Sequence, residues 1–217
     1  IPWEGENLNL SLMTPYLTAE DREVRKKAWK AYTKFFEDNG EKLDSIYDAL
    51  VKNRTEQGQM MGYPDFTEIG YARMNRNCYG EREIASFRQQ VKRDLVPFVQ
   101  KLHERRRERL GLDKLYYYDE GVFFKEGNPA PIGTPAETHS MSMEFFTEPW
   151  MDLFFGDRAK DYLSMHFEEF LMFIPYGTMV DEFQNIVYKN PKMTPKERKL
   201  LWRTLEQEYK PHLDYAD

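Results

Sequence analysis

The sequence predicts an all-α protein with one small extended element. Apolar residues recur at helical spacing over long segments. Helix start and stop residues bracket those segments, and 12 Gly and 12 Pro punctuate the chain between them.

Residues 1–12 are turn-rich and weakly patterned. Thr18-Ala-Glu-Asp21 reads as an N-cap with an acidic first turn. Behind it Val24, Ala28, Ala31, Tyr32 and Phe35 form an apolar stripe, and Asn39 with Gly40 stops that helix. A second helix is expected over about 41–61, with Leu43, Ile46, Tyr47, Leu50 and Val51 facing inward. Asp65 caps a short third helix through Arg73, and 75–80 reads as a loop.

A long helix is expected over 81–110. Ile84, Phe87, Val91, Leu95, Phe98, Val99 and Leu102 mark its buried side, Pro97 kinks it, and Gly111 stops it. Leu115 to Phe124, with three tyrosines followed by Val122, Phe123 and Phe124, reads as extended. Residues 127–135 form an irregular Pro- and Gly-rich connection. Further helices are expected at about 137–147, 158–173, 177–189 and 195–209, with Thr194-Pro195 capping the last and Glu197 completing the cap.

Composition narrows the function classes. Aromatics make up 15% of the 217 residues, enough to fill a core, and 31% charged residues fit a globular chain. The formal charge of −6 argues against nucleic acid as the main partner. The run Arg105–Arg106–Arg107 with Arg109 is interleaved with Glu104 and Glu108, which reads as a solvated helix face. Cys78 is the lone cysteine, so no internal disulfide forms and a reducing, cytoplasmic setting is expected. The longest apolar stretch, Phe170 to Ile174, is far too short to span a membrane. The chain opens on Ile1 with no signal peptide, which reads as a cut rather than a natural start.

Self-sufficient catalytic motifs do not emerge. The four histidines are His103, His139, His166 and His212. His103-Glu104 begins like a HExxH zinc motif, but Arg107 stands where the second His belongs. His166 is followed by Phe-Glu-Glu-Phe170, which fails as well. Cys78 in its loop reads as incidental.

Two segments stand out. On a helix, Glu137, Ser140, Met141 and Glu144 share one face, placing two carboxylates, a hydroxyl and a thioether along one stripe. A metal edge fits that pattern, with one Glu ligating and neighbours orienting it; a helix with ordinary surface glutamates fits it too. The other segment is Phe173-Ile-Pro-Tyr-Gly177, a break between two helices with Asp181 and Glu182 one turn on. It either places Tyr176 in a cleft or forms a packed helix corner.

These stretches resemble oligoendopeptidase F, in the thimet-oligopeptidase-like family of zinc peptidases. The resemblance rests on Tyr71-Ala-Arg-Met74, Phe123-Phe-Lys-Glu-Gly-Asn-Pro129 with Gly133-Thr-Pro135, and Glu137-Thr-His-Ser-Met-Ser-Met-Glu-Phe-Phe146. It continues through Pro149-Trp-Met-Asp-Leu-Phe-Phe-Gly156, Phe173-Ile-Pro-Tyr-Gly177 and Val180-Asp-Glu-Phe183. The resemblance covers nearly the whole chain, in the family's order.

It implies a multi-helix part of a metallopeptidase domain that encloses a substrate channel. Short peptides would be the substrates. One zinc ion would be held by two His of a HExxH helix and a later Glu, with the HExxH Glu as general base on the water. Glu137 would be that third ligand. His139, Ser140, Glu144 and Tyr176 would stand around the metal or line the cleft.

The departures are equally specific. Pro135 and Thr138 are nearly adjacent, where the family carries a sizeable stretch holding HExxH. The chain is therefore expected to be one helical domain, discontinuous in its parent, with a seam near 136–138. On that reading 1–136 carries the N-terminal helices and connection, and 137–217 carries the candidate zinc-ligand Glu. The chain also begins after a family N-terminal lobe and ends before the family's His- and Tyr-bearing segment. Alone it is expected to be inactive; the alternative is a non-catalytic helical binding or scaffold module.

Overall fold

The computed structural model describes residues 1–130 and 147–213. The described residues are all-α, as expected, apart from one two-stranded ribbon, which lies in a stretch expected to be only turn-rich. The chain divides into two compact units.

The first unit comprises Ile1–Tyr32, Lys101–Phe173 and the chain end from His212. It opens with antiparallel strands Pro2–Trp3 and Glu6–Asn7, paired Pro2 to Asn7 and Trp3 to Glu6. The two turn residues, Glu4 and Gly5, both have positive φ (48° and 90°), the geometry of a tight two-residue hairpin. Trp3 thereby packs with Met13 and Ala28 in a small core.

The helix Arg22–Asp38 begins one turn later than its expected cap suggests. Thr18 instead closes the preceding Thr14–Leu17 turn. Asp21 does the capping, its Oδ1 accepting the N–H of Glu23 at 2.8 Å.

Leu115–Phe124 is not extended. A 3₁₀ turn at Tyr117–Asp119 and successive turns replace the expected strand. The reason is the Asp119 carboxylate, which is fully buried. Arg22 donates to it from Nε at 3.1 Å and from Nη2 at 2.7 Å. Arg25 Nη2 donates at 3.0 Å and the Tyr116 N–H at 3.1 Å. Meeting four donors with one carboxylate requires a folded backbone, and that demand outweighs the β-propensity of the tyrosines. Burial pushes the Asp119 carboxyl up, but Arg22, Arg25 and the Tyr116 N–H together hold it below the ordinary carboxylate value.

The arginine run also departs from expectation. Arg106 is among the largest fully buried side chains, not a solvated one. It donates to the Glu120 carbonyl at 3.0 Å and lies 3.1 Å from His103 Nδ1, with its guanidinium carbon 4.9 Å from the Phe123 ring centre. Arg109 forks onto Glu168 at 3.0 and 2.8 Å. Burial lowers the affinity of Arg106 for its proton. Gly111 ends the Val96–Leu110 helix at φ 69°, and the Leu112 N–H closes the turn on the Arg107 carbonyl.

The second unit comprises Thr33–Gln100 and Ile174–Pro211. Its helix Gly40–Met60 buries Val51, Thr55 and Gly58. Leu43, Ile46 and Leu50 of the expected stripe are exposed instead. Gly58 explains the rotation. A Cβ there would sit 2.1 Å from the Asp65 carbonyl oxygen, so only glycine allows this close backbone approach. The contact sets the chain that leads into the helix Thr67–Arg73, where Asp65 Oδ1 accepts the Thr67 N–H at 2.7 Å.

The expected 81–110 helix is present in three pieces. Glu81–Gln90 and Val96–Leu110 are α-helical, and Val91–Leu95 is a π turn closed by the Val96 N–H on the Val91 carbonyl. Pro97 has no N–H and crowds the carbonyl four residues back; widening the turn just before it relieves both problems. Val91 and Val96 then join Met179, Leu205 and Tyr209 in one core, while Phe87 and Phe98 are exposed. A second core joins Val51, Phe66, Val187 and Tyr188.

Ala159–Lys189 is one continuous helix of 31 residues, so the expected break at Pro175 is absent. Pro175 is fully buried, and three residues on Thr178 Oγ1 donates to the Ile174 carbonyl at 2.8 Å. Burial of the proline and of Thr178 and Met179 just after it offsets the missing bond, a defect of about 3 kcal/mol in an isolated helix. Pro195–Tyr209 follows as expected, with Thr194 and Glu197 bonding each other's backbone N–H groups. No described helix is long and apolar enough to cross a membrane.

Candidate functional site

Four of the sequence-derived site residues, Glu137, His139, Ser140 and Glu144, lie outside the described residues. The helix expected at 137–147 and the seam near 136–138 lie outside them as well. Tyr176 is described. It sits in the continuous helix directly after Pro175, with 43% of its surface exposed.

Asp181 and Glu182, one turn beyond, are engaged in structural ion pairs. Asp181 takes Arg76 at 2.8 Å and Arg88 at 2.6 and 3.0 Å. Glu182 accepts the Tyr209 hydroxyl at 2.6 Å and lies 2.9 Å from Lys92 Nζ. Burial first, and the bond to Glu182 second, push the Tyr209 phenol well above its ordinary range. Both carboxylates are thus committed to contacts within the fold.

The described histidines do not make a metal site either. His103 and His212 stack face to face, ring centres 3.4 Å apart and planes 13° apart. Imidazole lone pairs lie in the ring plane, so two parallel stacked rings cannot both aim a nitrogen at one ion. The Arg106 guanidinium beside His103 adds like charge. Among the described residues no three His, Cys, Asp or Glu side chains come together as a metal requires. The zinc ligand set of the resemblance therefore does not fit the described residues. Cys78 is exposed and unbonded.

Within the second unit, a cleft of about 330 Å³ opens where the helices Gly40–Met60 and Thr67–Arg73 meet residues 181–188. Sequence reasoning missed it. Its walls include Phe66, Tyr71 and Tyr188, with Arg54 and Arg73 among the lining cations and Asp181 the lining carboxylate. Arg54 is half-buried, its guanidinium carbon 5.3 Å from the Phe66 ring centre and 5.7 Å from that of Tyr188. It donates from Nη1 to the Tyr188 hydroxyl. Burial raises the Tyr71 phenol above its ordinary value. A signal existed: Tyr71, Arg73, Met74 and Asp181 belong to stretches that carry the family resemblance. Residues as far apart as Arg54 and Asn185 share no spacing that would have joined them.

The chain resembles known proteins along almost its whole length. The model of peptidase family M3 matches residues 16–126, half of the chain. A solved protein assigned as oligoendopeptidase F is 34% identical with a TM-score of 0.93, and the alignment covers 99% of this chain. PZ peptidase A, solved with an inhibitor, gives the same identity and TM-score over 99%. A protein assigned as oligoendopeptidase F from Bacillus anthracis is 32% identical over 98%, with a TM-score of 0.89. This chain spans 55%, 56% and 57% of those three solved chains. No curated protein matches it. Identity above 30% over essentially every residue of this chain, together with the family-model match, places it: the chain belongs to peptidase family M3.

Proposed function

We propose that this chain is part of a zinc-dependent metalloendopeptidase that hydrolyses short peptides in the cytoplasm. The observation carrying this reading is the agreement with oligoendopeptidase F at 34% identity and TM-score 0.93 over 99% of the chain. Zinc supplies Lewis-acid activation of water in such enzymes. Glu137 is the residue of this chain proposed to ligate it, and His139, Ser140, Glu144 and Tyr176 are proposed to surround the metal or the substrate channel. The lone exposed Cys78 supports a reducing compartment. The seam near 136–138 is proposed as the point where the HExxH-bearing stretch of the family would enter.

A second reading applies to this polypeptide on its own, a non-catalytic helical binding or scaffold module. The sequence favours it: none of its four histidines begins a HExxH. Catalytic zinc takes three protein ligands, so one carboxylate cannot hold it tightly.

Zinc content and cleavage of a quenched fluorescent peptide, measured on this chain and on a solved relative, test both readings. We expect zinc and activity in the relative, loss of zinc when its equivalent of Glu137 becomes Ala, and neither in this chain. Stoichiometric tight zinc in this chain would refute the incomplete ligand set. Unchanged zinc in the altered relative would refute the role of Glu137.

A further inference from the structure

We propose that the cleft lined by Arg54, Tyr71, Arg73 and Asn185 binds a monocarboxylate carrying an aromatic or apolar body. The proposal does not rest on the zinc chemistry proposed above.

The charge balance comes first. Arg54 and Arg73 line the cleft without a carboxylate partner among the described residues, whereas Asp181, in the same lining, is already held by Arg76 and Arg88. The cleft is thus left with surplus positive charge. The geometry of Arg54 is more specific. Its Nη1 is committed to the Tyr188 hydroxyl, and its guanidinium lies against Phe66 and Tyr188, which fix its position. Among the described residues the Nε and Nη2 edge meets no acceptor. That edge is a two-donor fork of the kind that Arg22 in the first unit closes on Asp119 through the same two atoms.

The walls supply the rest. Phe66, Tyr71, Met74 and Tyr188 offer apolar and aromatic surface. Thr67 Oγ1, Tyr71 Oη and Asn185 Nδ2 are buried and have no hydrogen-bond partner among the described residues. Native proteins seldom leave three such atoms together unless a ligand or ordered water completes them. A single negative charge suits the site better than a phosphate dianion, whose second charge would face Asp181.

The test is calorimetric titration of the whole chain with N-acetylphenylalanine, its amide, and a hexapeptide ending in Phe with either a free or an amidated terminus. We expect the free acid to bind and its amide to bind about tenfold more weakly or not at all. Binding of the acid without the hexapeptide assigns the site to a free metabolite. Comparable binding of the free-terminus hexapeptide assigns it to a peptide end; both support the carboxylate site. Arg73→Gln, on an exposed side chain, should weaken the acid by about threefold or more without changing the melting temperature. Arg54→Gln should abolish binding, and circular dichroism reports whether that variant remains folded. Equal binding of acid and amide, no binding of any probe, equal competition by inorganic phosphate, or an Arg73→Gln chain that binds unchanged would each overturn the proposal.

Discussion

Each unit clamps one aspartate between two arginines, and the two clamps differ in exposure. Asp119 is fully buried, and Arg25 beside it is nearly so. Asp181 keeps 23% of its side chain exposed, on the wall of a cleft. A sealed ion pair has given up its hydration and survives through its complete hydrogen-bond set. A half-exposed pair retains solvent as a fallback, so it can border a ligand site without its neighbours having to be sealed. The first clamp dictates backbone shape, and the second supplies a local charge balance.

The sharpest way to break the comparison is Asp119→Ala. It strands two guanidinium groups, one of them buried, and should cost about 3–5 kcal/mol in urea unfolding. Acid titration should reveal the same carboxylate. Its native proton affinity lies below that of the unfolded chain, so its stabilisation is complete above the unfolded value of about 3.9 and is lost as pH falls through the native value. Melting temperature followed below pH 4 should therefore fall more steeply in the parent than in Asp119→Asn. Equal slopes would show that the buried clamp does not govern acid stability.

Asp181→Asn should cost less, about 1–2 kcal/mol, because the Asp181 side chain itself keeps 23% of its surface in water and the amide oxygen can still accept from Arg88. A loss equal to that of Asp119→Ala would erase the distinction between the clamps. Lys34→Ala removes a solvent-exposed pair with Asp38 and should leave the melting temperature unchanged. A clear shift there would mean that exposure is not what separates strong from weak pairs in this molecule.

Most of the helical frame was legible because caps and stripes act locally. Asp65, Gly111 and the Thr194–Glu197 box needed only their neighbours to be read. What escaped depends on partners distant in sequence. Arg106 looked solvated because glutamates flank its run of arginines; a helix face is chosen by what packs on it, here Phe123 and the Glu120 carbonyl. Pro175 looked like a break because propensity is local, whereas the burial that keeps the helix intact is not. Leu115–Phe124 looked extended because its composition favours strands, while Arg22 and Arg25, over 90 residues away, impose turns through Asp119. The candidate site was legible only as motif resemblance, and the cleft beside Asp181 was not legible as a site at all.

The widened turn at Val91–Leu95 carries a consequence for how the chain tolerates insertions and deletions. Val91 and Val96 are both buried although five residues apart, a separation that would place them on different faces of a regular α-helix. One surplus residue has been absorbed there, and everything downstream is phased to it. Deleting a single residue from this loop of backbone would swing Val96 and Val99 by about 100° toward solvent. A change of one residue here would scramble a hydrophobic seam, so sequence length at this spot is itself a folding determinant.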